Sequence, residues 1–171
     1  VASATTCDNP VASSDSVAVI IYVRAGADLV DESAVAANPI ARDCLANAGE
    51  DGVDGGLDIR CGDQVLSWPD VWDRVDGMLA SWIAALDAIA DGADEAVAVF
   101  PDTRVECEIG RVGDIDVHIE YEDIAATVRR TDLHSALIGA AARLLDLVSD
   151  TPTKSPALQS LVARVAMETQ G

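Results

Sequence analysis

Apolar and polar positions along this chain change period several times, and each change marks an expected element. Val17 to Val23 (VAVIIYV) is a continuous, largely β-branched run that stops at Arg24, which predicts a short buried strand. Asn38-Pro39 is a helix start, with asparagine as N-cap and proline in the first turn. Ile40, Cys44 and Ala48 then share a helical face that Gly49 closes. Glu50 to Asp58 (EDGVDGGLD) reads as an acidic, glycine-rich turn, and Leu57 to Leu66 as a hairpin turning at Gly62-Asp63.

Ser67 and Asp70 make an S-x-x-D start for the longest expected helix, which runs to Asp91-Gly92. Trp68, Trp72, Val75, Leu79, Trp82, Ile83, Leu86 and Ala90 recur on one face of it, with Asp73, Asp76 and Asp87 away from that face. On this reading the three tryptophans are the main fillers of a core otherwise built from small side chains. Three or four strands follow, at 96–100, 104–109 and 114–121, with 124–129 as the fourth. Val105, Cys107 and Ile109 alternate with Glu106 and Glu108, and Ile115, Val117, Ile119 and Tyr121 with Asp116, His118 and Glu120. That period of two predicts antiparallel strands with one wet face. A second long helix starts at Thr131 or Asp132 with Leu133, Leu137, Ala140, Ala141, Leu144, Leu145 and Val148 as its stripe. Ser155-Pro156 opens a last short helix with Leu158, Leu161, Val162 and Val165 facing inward.

These elements predict an α+β fold: an antiparallel sheet, meander plus hairpin, with amphipathic helices packed on one face. Residues 1–16 are expected to be a disordered or loosely attached arm, 17–150 a single α+β domain, and 151–171 a linker with a short C-terminal helix. At 171 residues the chain is long enough for one core without metal or disulfide staples.

Charge changes the picture more than length does. Thirty Asp and Glu against 11 Lys and Arg give a formal net charge of -19. Such a chain is repelled by phosphate backbones and anionic headgroups, so no nucleic acid and no membrane are expected as partners. No apolar run approaches the ~18 residues of a membrane span. Asp outnumbers Glu 22 to 8, and Lys154 is the one lysine beside ten arginines. Ala and Val supply 49 residues and the aromatics six. This composition resembles that of proteins from salt-loving archaea, where short carboxylates hold water and cations at the surface. GC-rich coding explains the scarce lysine but does not by itself require 30 acidic residues. Val1 to Ser16 has neither the basic nor the apolar region of a secretory leader, so a cytoplasmic location is expected. Cysteines at 7, 44, 61 and 107 have no zinc-ligand spacing and read as free thiols acting as small hydrophobes.

Candidate chemistry is sparse. If Gly110–Gly113 turns the hairpin, Glu106 falls opposite His118 and Glu108 near Asp116, and with Glu120 these five crowd one sheet face. A histidine among carboxylates can bind a divalent cation or move a proton, but a solvated acidic face is the expected reading. The aspartates of 50–58 do not fit the spacing of a calcium loop. His134 begins a helix at the edge of the core, without the G-x-S-x-G context of a nucleophile at Ser135. No phosphate-binding, dinucleotide or zinc-protease motif is present, and no cofactor is expected. The layout loosely resembles small immunity-type or adaptor domains. The expected function is therefore a non-enzymatic protein-interaction domain adapted to high salt. The alternative is a small metal-dependent enzyme or ligand-binding protein that uses the acidic face with His118.

Overall fold

A computed structural model describes residues 16–49, 51–62, 64–67, 72–151 and 155–170. The fold is α+β, with two antiparallel sheets and helices packed against them. The first sheet has the order β2-β1-β3-β4, with β1 at Val17–Ala25, β2 at Asp28–Asp31, β3 at Asp54–Cys61 and β4 at Gln64–Ser67. A two-residue strand, β5 (Asp73–Arg74), also pairs with β3. The second sheet is the meander β6 (Glu95–Val99), β7 (Glu106–Val112), β8 (Asp116–Tyr121) and β9 (Ile124–Arg129). Helices α1 (Pro39–Ala46), α2 (Val75–Ala90), α3 (Arg130–Leu147) and α4 (Pro156–Glu168) complete it, with a 3-10 turn over Glu32–Ala37.

The β-branched run forms β1 as expected. Its alternate residues Val19, Ile21, Val23 and Ala25 are buried, because α1 and α3 pack on that face. Register against β3 places Val19 opposite Ile59 and Ile21 opposite Leu57. Helix α2 touches both sheets, and α4 lies against α2 and α3. Leu158 and Leu161 of α4 belong to the same apolar cluster as Ile21, Leu79, Trp82 and Ile119.

Several expectations are corrected. The acidic turn expected over 50–58 is a strand from Asp54 onward. Glycine there signals close approach rather than a loop: a Cβ on Gly55 would lie 2.0 Å from the Tyr22 carbonyl oxygen. β2 was not expected. Gly26, at a φ of 71°, lets the chain double back after only two residues. Helix α1 turns Ala41 and Leu45 inward and leaves Ile40 and Cys44 exposed.

Helix α2 starts at Val75, not near Ser67, because Asp73 and Arg74 are held extended against Gly55 and Asp54. Trp72 therefore precedes the helix and is 47% exposed, whereas Trp82 is fully buried. Trp68 and the expected S-x-x-D start at Ser67–Asp70 fall largely outside the described residues, as do the arm at 1–15 and Cys7. Asp73 and Asp76, expected on the wet side, are both buried. Val162 of α4 points outward.

Candidate functional site

The meander places the five acidic-face candidates differently from the expected hairpin. The turn lies at Gly113–Ile115, so Gly110 is opposite His118, Glu108 opposite Glu120, and Val112 opposite Asp116. Glu106 pairs with Val99 on the other side and is four positions along β7 from the residue facing His118. The offset is even, so the five candidates keep their expected face while the partners change, whereas Ile115, expected in the apolar alternation, falls in the turn and is exposed. Cys107, Ile109, Val117 and Ile119 are buried, and Glu106, Glu108 and Glu120 are exposed. His118 is half-buried, and its Nδ1 lies 3.0 Å from Thr127 Oγ1. Asp116 sits opposite Arg129. The five do not converge on one point. Among the described residues, no group of three or more His, Cys, Asp or Glu side chains is placed to hold a metal ion.

His134 lies at a junction of three helices. Its Nε2 is 3.3 Å from Asp87 Oδ1 on α2 and 3.3 Å from Arg164 Nη2 on α4. Arg164 also pairs with Asp87 directly. The ring serves a packing contact, and Ser135 beside it is exposed. Cys107 makes no better nucleophile: burial, and then the charge of Glu108, push its thiol up to about 12, away from the reactive thiolate.

Two buried carboxylates missed from sequence hold loops in place. Asp73 accepts hydrogen bonds from the backbone N–H groups of Arg74, Asp102 and Thr103 and from the Thr103 hydroxyl, at 2.6 to 3.0 Å. Asp76, in the first turn of α2, accepts from Val53 N at 2.9 Å and from Ser155 Oγ at 2.6 Å. Ser155 in turn caps α4 by accepting from Leu158 N. One carboxylate thus joins the loop before β3, the start of α2 and the start of α4. Sequence carried little signal for them, because apart from Arg74 N their donors lie more than twenty residues away in the chain.

Beside this junction a cleft of about 380 Å³ opens between α1, β1 and the loop before β3. Val23, Ala48 and Val53 are its buried apolar side chains, beside the buried Gly52, and Ile40 and Cys44 are exposed lining residues. Asp43, Asp51 and Asp54 supply its carboxylates, and Arg74 its one lining guanidinium. Arg74 Nε is held between Asp54 at 3.1 Å and Asp102 at 3.0 Å. Asp54 also faces Arg24 at 3.8 Å, and the Arg24 guanidinium stacks 3.7 Å from the centre of the Trp72 ring. Trp72 is thus held at the surface through Arg24, close to the cleft.

No protein-family model, curated protein or solved structure matches this chain. Among the described residues, no helix is long and apolar enough to cross a membrane.

Proposed function

We propose that this chain is a non-enzymatic protein-interaction domain of the adaptor or immunity type, adapted to high salt, with a cytoplasmic working place and a protein as its partner. The observation that carries the reading is Trp72. Among the described residues it is the largest of the exposed apolar side chains, and it is held on Arg24 rather than free to collapse onto the core. Tryptophan and arginine are enriched among the residues that dominate interface energetics, the first for its large, rigid ring and the second for a planar guanidinium that stacks and donates several hydrogen bonds. A stacked pair already ordered in the free protein loses little further entropy on binding.

The acidic sheet face does not favour the metal-dependent alternative. Its histidine is engaged with Thr127, and its glutamates face one another or open solvent.

The reading is tested by affinity purification from a high-salt lysate with wild-type, Trp72→Ala and Val112→Ala baits, read by mass spectrometry. Val112 is exposed at the far hairpin and serves as the control. A partner retained by wild type and Val112→Ala, and reduced at least tenfold by a folded Trp72→Ala protein, is the expected result. Equal recovery on all three baits would overturn it.

A further inference from the structure

We propose that the cleft beside Trp72 receives a short segment of the partner that carries an aliphatic side chain flanked by arginine or lysine. The inference rests on the interaction reading and adds the chemistry of what is bound.

Charge complementarity selects the flanking cations. Asp43, Asp51 and Asp54 line the cleft; Asp54 is already met by Arg74 and Arg24, and Arg74 also faces Asp102, so Asp43 and Asp51 are the two lining carboxylates open to an outside cation. Helix α1 ends here at Ala46, and Asp43, Cys44 and Asn47 of its last turn and cap line the cleft. A helix C-terminus carries partial negative charge, usually met by a basic residue in the last turn. Helix α1 has none. The dipole and the two open carboxylates therefore favour a cation from outside.

The form of that cation follows from the geometry. The carboxylates do not gather into a group that could hold a metal ion. They are spread along a cleft with an apolar lining, which suits a guanidinium or ammonium carried on an apolar stem. The buried Val23, Ala48 and Val53 supply surface for an aliphatic neighbour. In molar salt the Debye length is ~3 Å, so a distant acidic field attracts little. Direct contact between donor and carboxylate survives, and so does apolar burial.

The test is an amide NMR titration of the full chain at about 1 M KCl, where long-range attraction is screened. The probes are capped peptides: Gly-Arg-Leu-Arg-Gly, its Glu-for-Arg analogue and its Ser-for-Leu analogue. The first should shift the amides of Cys44, Asn47, Ala48 and Val53. The glutamate analogue should shift none of them, and the serine analogue should bind more weakly. Asp43→Asn combined with Asp51→Asn, both exposed positions, should weaken the first peptide at least tenfold. Equal binding of the glutamate analogue, or no shift at the cleft, would overturn the proposal. If partner capture still depends on Trp72 in that case, the interaction reading stands and only the cleft's occupant is wrong. If the peptide binds the cleft but Trp72→Ala leaves partner capture unchanged, the role of Trp72 falls and the cleft remains a basic-segment site.

Discussion

Replacing Asp76 by alanine should destabilise the protein by about 3 kcal/mol, through bonds that reach well beyond its own helix. Val53 and Ser155 are both buried, and each donates to this carboxylate. Alanine leaves the Val53 N–H and the Ser155 hydroxyl without that acceptor. A buried donor stripped of its partner costs ~1–3 kcal/mol, so the pair accounts for roughly 2–6. Loss of a negative charge in the first turn of α2 adds about 0.3–1 kcal/mol. Two terms oppose these. Alanine favours a helix over aspartate by at most ~0.7 kcal/mol, and a desolvated charge is removed. The net falls near the middle of the range. Asparagine tests the origin of the loss: its carbonyl oxygen can still accept from Val53, and its amide can donate to Ser155 Oγ. Asp76→Asn should therefore cost well under half of what alanine costs. The assay is denaturant unfolding by circular dichroism at fixed KCl, with hydrogen exchange at Val53 and Leu158. Those two amides should lose protection together, since the same carboxylate anchors the loop before β3 and the cap of α4. Because Ser155→Ala removes one of the same bonds, its loss should not add fully to that of Asp76→Ala. An alanine variant within ~1 kcal/mol of the parent, below the smallest penalty for two stranded donors, would refute the reasoning.

Four other outcomes are expected. Gly52→Ala should destabilise by thermal melting, because Gly52 sits at a φ of 90° and a Cβ there would lie 2.6 Å from Asp76 Oδ1; an unchanged melting temperature would contradict that geometry. Trp82→Ala should cost ~3–5 kcal/mol, whereas Trp72→Ala should cost about 1 kcal/mol, mostly its stack on Arg24; denaturant unfolding of the two variants decides, and the reverse order would show that the indoles are misplaced. Thiol labelling of the native chain at ~pH 8, mapped by peptide mass, should modify Cys44 fast and Cys61 and Cys107 slowly, since burial pushes the latter two up to about 11 and about 12. Both shifts are upward, so these thiols support the fold fully below the ordinary thiol range and lose that support as pH rises toward the folded values; fast native labelling of Cys107 would count against its burial. Melting temperature should rise steeply between ~0.1 and ~1 M KCl, as the Debye length falls from ~10 to ~3 Å, and a flat profile would leave coding bias as the explanation of the acidity.

Elements that follow a strict period were legible in the sequence. The alternation around Cys107 and Val117 identifies the inward face of the meander, and the β-branched run identifies β1. Register was not legible, because it depends on where the hairpin turns, and a turn displaced by an even number of residues preserves the alternation. Glu106 and His118 were therefore placed on the correct face and paired wrongly. The start of α2 failed for a different reason. Trp68 and Trp72 continue the helical spacing of Val75 and Leu79, so periodicity extends the helix backward. The carboxylate of Asp73 instead binds the N–H groups of Arg74, Asp102 and Thr103, a tertiary contact that overrides the local pattern and turns Trp72 outward. The exposed stack of Trp72 on Arg24 was hidden behind that single error.

The acidic composition conceals two populations of carboxylate with different physics. Glu106, Glu108 and Glu120 stand on an open sheet face, with Glu108 and Glu120 directly opposed. Like charges so placed repel, and salt relieves the repulsion. Asp73 and Asp76 are buried and bind backbone N–H and hydroxyl groups, and the partners of Asp76, Val53 and Ser155, are buried with it, out of reach of ions in solution. A change in salt should therefore shift the stability of the whole protein while leaving the cost of Asp76→Ala nearly constant. Composition counts both groups as acidity, yet only the outer one is open to screening by salt. Asp76 would be required of this fold in any solvent, because the buried Val53 N–H, and the hydroxyl that caps α4, need an acceptor where water is excluded.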